Sequence, residues 1–148
     1  MKTIVFLFIV FFLCGCKQSN QPAKEELFKV DLEFSEKAGE VGFNTAFIEF
    51  AHPEAVLLRE NSMPVVGKSA ITKLFENVNS EGINFSWKPL SGDIAASGEF
   101  GYTYGIFTIK RDTILQKGTY VSIWKKDSTG NWKYILDSGN EGLGKELE

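Results

Sequence analysis

The sequence predicts a single α+β domain in which three N-terminal helices pack on one face of a curved, mostly antiparallel sheet of about six strands. Two observations indicate this fold class. In the first half of the chain, apolar residues recur at steps of three and four, which is the spacing of one helical face. In the second half, long segments rich in aromatic and branched residues alternate with short polar turns, which is typical of antiparallel strands.

The three helices are expected early in the chain. The first covers residues 25–41, and Gly42 separates it from a shorter helix that ends at His52-Pro53, because a residue before proline disfavours the helical conformation. A third helix follows, with Gly67 or Ser69 as its N-cap. The apolar faces consist of Leu27, Val30, Phe34, Ala38 and Val41, then Phe43, Ala46, Phe47 and Phe50, then Ile71, Leu74, Phe75 and Val78.

The strands are expected in two groups. Two short apolar segments flank the turn Glu60-Asn61-Ser62 and predict a small hairpin. Four longer strands follow the third helix. Both faces of the second long strand carry apolar side chains, so the sheet is expected to be covered on one side and paired or cupped on the other. The predicted strands cover residues 55–59, 63–66, 84–96, 100–109, 114–125 and 132–136.

Composition argues against several classes of function. The formal net charge is −3 and no basic run is present, so nucleic acid is not expected as a partner. A single histidine, His52, and the lack of cysteine after Cys16 leave no usual nitrogen or sulfur metal site. The sequence contains neither a glycine-rich phosphate loop nor a Gly-x-Ser-x-Gly motif, so no cofactor is predicted.

The N-terminus has the three-part layout of a secretory signal. Ten consecutive apolar residues, Ile4 to Leu13, follow a short basic start and precede a polar stretch. The segment Leu13-Cys14-Gly15-Cys16 resembles the bacterial lipobox. This resemblance implies cleavage after Gly15 and two acyl chains on Cys16. The alternative is an ordinary signal peptide that is cut elsewhere and leaves Cys16 as a free thiol.

The expected boundaries follow from this assignment: a signal peptide over residues 1–15, a lipidated tether over 16–23, a folded domain over 24–141 and a flexible tail over 142–148. The extended tether reaches at most about 28 Å, so the domain is expected close to the membrane. The expected location is the cell envelope, lipid-anchored to a membrane. Lys17 replaces the aspartate that retains some Gram-negative lipoproteins in the inner membrane, which favours the outer membrane, facing the periplasm, in a Gram-negative cell.

Six stretches of the folded part occur in a characteristic order. They are Gly42-Phe43-Asn44-Thr45-Ala46-Phe47, Ala55-Val56-Leu57-Leu58-Arg59, Pro64-Val65-Val66-Gly67-Lys68-Ser69-Ala70-Ile71, Gly101-Tyr102-Thr103-Tyr104-Gly105, Gly118-Thr119-Tyr120-Val121-Ser122-Ile123-Trp124 and Trp132-Lys133-Tyr134-Ile135-Leu136-Asp137. In order and spacing, this part of the chain resembles the SnoaL-like branch of the nuclear-transport-factor-2-like superfamily. The resemblance implies a cone-shaped fold in which a bent sheet wraps over the helices and encloses a pocket. Members include dehydratases, isomerases, cyclases and partner-binding modules, so the resemblance implies no single reaction.

Asp137 is the predicted catalytic residue. It follows the last predicted strand, near the expected opening of the cone, and a carboxylate in an apolar cavity can act as an acid or base near neutral pH. The alternative is a turn aspartate that binds nearby backbone. His52 is expected to cap a helix end or face solvent, and Glu54 and Arg59 are candidates for an ion pair at the rim.

Aromatic residues of the long strands are the candidate pocket lining. Their rings offer apolar surface, and tyrosine hydroxyls can orient a ligand. The alternative is a mixture of core and sheet-surface positions. The predicted lining residues are Trp87, Tyr102, Tyr104, Tyr120 and Trp124.

The leading hypothesis is therefore a membrane-anchored lipoprotein whose domain binds a small apolar ligand or acts as a non-catalytic module. The first alternative is a cofactor-free acid–base lyase or isomerase that uses Asp137 with a tyrosine donor. The second is a protein-binding module that forms a homodimer through its open sheet face.

Overall fold

The computed structural model describes residues 21–144, with side chains from Lys24 onward. The predicted signal peptide, Cys16 and residues 145–148 lie outside this part. Of the helices that are described, none is both long and apolar enough to cross a bilayer. In chain order, the elements are α1 (Gln21–Val41), α2 (Phe43–Phe50), β1 (Ala51–Leu58), β2 (Val65–Val66), α3 (Lys68–Glu76), β3 (Ile83–Ile94), β4 (Phe100–Arg111), β5 (Ile114–Lys126) and β6 (Trp132–Glu141).

The six strands form one sheet in the order β2-β1-β6-β5-β4-β3. Neighbouring strands are antiparallel except β1 and β6, which pair in parallel. Three helices on a curved, mostly antiparallel sheet confirm the predicted fold class. Several boundaries differ from the prediction. Helix α2 ends at Phe50, so His52 and Pro53 lie in β1 rather than at a helix end, and β2 is shorter than predicted. Helix α1 begins within the predicted tether, and β6 continues well past Leu136, so that Asp137 lies inside a strand rather than in a turn.

Helix α1 packs on the concave face of the sheet through four of the five apolar positions that the sequence indicated, whereas Val41 is exposed. Leu27, Phe34 and Ala38 are buried in the core. The Phe34 ring lies at its centre, with ring centroids 4.6 Å from Trp87 and 4.8 Å from Phe47. Burial of this aromatic cluster supplies much of the apolar contact that holds the helices to the sheet.

Strands β4 and β5 combine glycine with a large ring at successive inward-facing pairs. Gly101 lies opposite Trp124, Gly105 opposite Tyr120, and Gly118 opposite Phe107. A Cβ atom at Gly105 would lie 2.8 Å from Cε1 of Tyr120, and one at Gly118 would lie 2.4 Å from Cζ of Phe107. The glycines therefore leave the space that the opposing rings fill, which is a known reason for glycine inside a strand.

Candidate ligand-binding site

A cavity of about 400 Å³ lies between the concave face of the sheet and the helices. This volume is within the range of small-molecule sites. Its mouth is formed by exposed residues that follow β1 and by the end of β6, including Arg59, Glu60 and Glu141. Its interior is lined by the rings of Phe47, Phe85, Trp87, Phe107 and Tyr120. We call this ring-lined interior the aromatic chamber.

The rings of the aromatic chamber form a continuous wall. Phe85 on β3 occupies the middle of it, with ring centroids 5.3 Å from Trp87, 5.6 Å from Phe107 and 6.0 Å from Phe47. The Trp87 ring lies 6.5 Å from that of Tyr120. These separations are typical of edge-to-face and offset contacts, so the rings support one another in fixed orientations.

A β-bulge in β6 places Asp137 in this chamber. Trp132 and Tyr134 are buried on the concave face, and simple alternation would turn Leu136 inward and Asp137 outward. The register between β5 and β6 shifts at Ile135, so that Leu136 pairs with Ile123 and Asp137 with the inward-facing Ser122. Bulges often re-aim a side chain in this way next to functional sites.

The Asp137 carboxylate is only partly satisfied by the protein. Its Oδ2 accepts a hydrogen bond of 2.6 Å from the Ser122 hydroxyl, and no other donor to this carboxylate is found among residues 24–144. Burial raises the pKa of Asp137 to about 6, helped by the nearby charge of Asp31, while the Ser122 bond and the charge of Arg59 act in the opposite direction. Asp137 therefore has one oxygen available to a ligand in the chamber.

A second carboxylate, Asp31 on α1, is completely buried behind the chamber wall. Its Oδ1 accepts a bond of 2.9 Å from Nε1 of Trp87, and its Oδ2 accepts one of 2.8 Å from the Tyr120 hydroxyl. Burial raises the pKa of Asp31, and hydrogen bonds from Thr103, Tyr120 and Trp87 partly offset that effect. Asp31 thus fixes the orientation of two chamber rings.

The bond to Asp31 determines what Tyr120 can offer a ligand. Its hydroxyl proton is donated away from the chamber, so the phenol can only accept a hydrogen bond from a ligand. Burial and the negative charge of Asp31 raise the pKa of Tyr120 far above its ordinary value, so the group stays protonated at physiological pH.

Arg59 lies at the mouth of the cavity and does not pair with Glu54 as predicted. Its Cζ atom is 5.1 Å from the centre of the Phe75 ring, a cation–π distance. Partial burial lowers the pKa of Arg59, and the charge of Asp137 opposes this shift. Glu54 instead lies beside His52, whose Nδ1 accepts a hydrogen bond of 3.2 Å from the Glu54 backbone N–H.

The structure brings three of the six predicted pocket and catalytic residues together: Trp87, Tyr120 and Asp137 all line the cavity. The other three are placed elsewhere, and their prediction as lining residues is wrong. Tyr102 and Tyr104 are 44% and 46% exposed on the convex face of β4. Trp124 is fully buried in the core, where its Nε1 donates to the Thr103 hydroxyl at 2.8 Å.

The error on β4 has a physical cause. The inward-facing positions of this strand are Gly101, Thr103, Gly105 and Phe107, which are mostly small. A face of small residues looks solvent-exposed in the sequence, whereas here the neighbouring rings and α1 cover it. Gly101 and Gly105 are the feature of the sequence that indicates close packing on this face.

Sequence reasoning also missed Asp31, Ser122 and the phenylalanine rings as site residues. Asp31 lies one helical turn after Leu27 on the buried face of α1, and Ser35 follows it one turn later. A carboxylate on an apolar helical face is rarely buried without a partner, which was a usable signal. No group of three or more potential metal ligands is found within the described residues.

No protein-family model matches the sequence, and a search of the curated proteins gives no match either. Solved structures do match. A putative ketosteroid isomerase from Parabacteroides distasonis superposes with a TM-score of 0.68 at 11% identity, over 85% of this chain and 96% of that one. An NTF2-like protein with a cystatin-like fold from Novosphingobium aromaticivorans gives 0.67 at 12% identity, over 84% and 85% of the two chains.

An NTF2-like superfamily protein from Salmonella enterica matches in the same way, with a TM-score of 0.63 at 14% identity over 87% of this chain and all 100% of that one. Identities this low show the fold alone. The chain therefore has the NTF2-like cone fold, and its activity has to be argued from its own site.

Proposed function

We propose that this protein binds a small, largely apolar ligand in the aromatic chamber and that binding, rather than catalysis, is its activity. The observation that carries this proposal is a cavity of about 400 Å³ whose interior is five aromatic rings with one partly satisfied carboxylate. Apolar walls with few, well-placed polar groups are the usual composition of small-molecule sites. The ring contacts and the Asp31 bonds hold the chamber open, which lowers the cost of ligand binding.

Replacing Gly139 by valine tests this proposal. Gly139 lies opposite Tyr120 on the inward face of β6, and an added Cβ would lie 3.3 Å from Cε1 of Phe107. The valine methyls would occupy the chamber, so we expect binding of the neutral fluorescent probe N-phenyl-1-naphthylamine to weaken by about tenfold or more. Thr119→Val is the matched control, because Thr119 is exposed and faces the opposite side of β5. Equal affinity in Gly139→Val and the wild type would contradict the proposal.

A cofactor-free acid–base activity is the second candidate, and one observation favours it. A carboxylate with a pKa of about 6 in an enclosed pocket is suited to proton transfer near neutral pH. The tyrosine donor that such a lyase or isomerase requires is not provided by Tyr120, whose proton is donated to Asp31. Binding without catalysis is therefore the better-supported function.

The finer family and cellular assignments rest on sequence motifs. We propose the SnoaL-like branch from the order of the six stretches, and lipid anchoring at Cys16 from the lipobox resemblance. Anchoring would place the chamber beside a membrane of the cell envelope, the outer membrane facing the periplasm in a Gram-negative cell. Homodimerisation through the convex sheet face stays a prediction, and the exposed rings of Tyr102 and Tyr104 are consistent with it.

Metabolic labelling with a radioactive or clickable fatty acid tests the anchor. We expect the wild-type chain to incorporate label and the Cys16→Ser chain to incorporate none, because the thiol is the acylated group and two or more chains are needed for stable anchoring. Cys14→Ser is the matched control, since serine keeps a small residue at that position and leaves Cys16 intact. Undiminished labelling of Cys16→Ser would rule the anchor out.

A further inference from the structure

In the aromatic chamber, the side-chain donors are already bonded to carboxylates of the protein, whereas acceptors remain available to a ligand. Trp87 Nε1 and the Tyr120 hydroxyl donate to Asp31, and the Ser122 hydroxyl donates to Asp137. Each of these donors is therefore committed to a carboxylate of the protein. The interior keeps acceptors for a ligand: the second oxygen of Asp137 and the lone pairs of Tyr120.

The charges around the cavity also favour a ligand that donates hydrogen bonds and carries a positive charge. Three carboxylates line it, those of Glu60, Asp137 and Glu141, against one cation, Arg59. Arg59 is an exposed residue whose guanidinium lies over the Phe75 ring, and its charge lowers the pKa of Asp137 without forming an ion pair with it. The faces of the five chamber rings carry the negative end of their quadrupoles, so they also attract a positive group. A ligand cation would thus meet acceptors and carboxylates in a cavity lined by aromatic rings.

We propose that the chamber selects a protonated amine with an apolar body, whose ammonium group donates to the free oxygen of Asp137 while its body packs against the rings. The proposal rests on the ligand-binding function above and names the ligand class. It disfavours ligands recognised through a carbonyl or an oxyanion in the interior, because the donors of Trp87, Tyr120 and Ser122 are used by the protein. The other side-chain donors that line the described cavity, Arg59 and Asn61, belong to exposed residues at its mouth. A neutral hydrocarbon would fit the rings but would leave the Asp137 oxygen without a donor, which costs affinity.

Three probes of one shape separate these ligand classes. They share a naphthalene ring and a short chain, and they end in an ammonium, a methyl or a carboxylate group: 2-(2-naphthyl)ethylamine, 2-propylnaphthalene and 3-(2-naphthyl)propanoate. Their dissociation constants for the full-length chain are measured at pH 7.5 by titration. We expect the amine to bind at least about tenfold more tightly than the methyl probe, and the carboxylate to bind most weakly.

Asp137→Asn supplies the decisive comparison, because asparagine keeps the shape and an acceptor for Ser122 but removes the charge. We expect the preference for the amine over the methyl probe to fall to about threefold or less. Glu141→Gln at the mouth serves as the control for general electrostatic attraction and should keep most of the preference.

Each outcome separates this inference from the function on which it rests. If the methyl or carboxylate probe binds wild type as well as the amine does, or if Asp137→Asn keeps the full amine preference, the amine assignment is overturned while the chamber remains a binding site. If none of the three probes binds at millimolar concentration, the ligand-binding function itself fails. Circular dichroism of each variant confirms that it is folded before its affinity is compared.

Discussion

Replacing Asp31 by alanine is expected to lower the free energy of unfolding by about 3 kcal/mol. The substitution removes the acceptor of two buried donors, Nε1 of Trp87 and the hydroxyl of Tyr120, which lie 2.9 and 2.8 Å from the Asp31 carboxylate oxygens. An unsatisfied buried donor costs about 1–3 kcal/mol, and the removal of a desolvated carboxylate offsets part of the sum. Urea denaturation at pH 7, followed by tryptophan fluorescence, measures the difference. A variant as stable as the wild type would show that this network contributes nothing.

A double-mutant cycle with Tyr120→Phe separates the hydrogen bond from the packing. In the wild-type background the lost hydroxyl should cost about 1 kcal/mol, because Asp31 loses one donor. In the Asp31→Ala background the same change should cost nothing or restore part of the lost stability, because it removes a donor that has already lost its acceptor. Equal costs in both backgrounds would mean that Tyr120 and Asp31 are not coupled.

Replacing Asp137 by asparagine is expected to have the opposite effect and to stabilise the protein at neutral pH. The folded state holds the pKa of Asp137 at about 6, above its ordinary value of 3.8. Between these values the folded chain binds a proton that the unfolded chain does not, so stability falls as pH rises through this window. The rise of roughly two units corresponds to about 2–3 kcal/mol at pH 7.5, which asparagine avoids.

Unfolding of the wild type and of Asp137→Asn at pH 3.5 and pH 7.5 measures this effect. The stability gained by the variant should be about 2–3 kcal/mol larger at the higher pH, because only the wild type ionises. Asp127→Asn is the control, for which the pH dependence of the stability change should be reversed. Hydrogen bonds from Thr129 and Asn131 lower the pKa of Asp127, so its loss should destabilise the protein more at pH 7.5 than at pH 3.5. A pH-independent difference for Asp137→Asn would contradict the assignment.

Substitution of Asp31 is expected to lower the free energy of unfolding and substitution of Asp137 to raise it, which distinguishes the roles of the two residues. Asp31 holds the walls of the chamber in place, and its removal damages the fold. Ionised Asp137 lowers the free energy of unfolding, because burial disfavours its charge and one of its oxygens accepts no hydrogen bond from the described residues. A residue that lowers stability in the free protein is expected where binding requires it.

The order of helices and strands, and the buried face of α1, were predictable because both depend on local periodicity. Leu27, Phe34 and Ala38 show this, since spacings of seven and four residues place them on one helical face and are enough to identify the buried stripe. The site was less predictable because it depends on register. A single extra residue at Ile135 decides which side of β6 faces the chamber, and nothing in the local sequence marks that residue.

The same limit explains the mixed result for the aromatic residues. On β5, Tyr120 and Trp124 share the inward face, yet of the two only Tyr120 lines the cavity, because the Phe34 ring of α1 packs 6.1 Å from the Trp124 ring. Alternation along a strand assigns a face but does not show where on that face a helix ends and an open volume begins. That distinction requires the packing of α1 against the sheet.

The parallel pairing of β1 with β6 also bears on how the protein folds. β1 joins the rest of the sheet only through β6, since its other neighbour, β2, has two residues. The pairing of β1, which begins at Ala51, with the rest of the sheet therefore requires that β6, which begins at Trp132, has already been formed. Contacts between such distant parts of a chain slow folding, and this pairing joins two strands that both line the chamber. A nascent chain shortened before β6 would lack both Asp137 and the partner of β1.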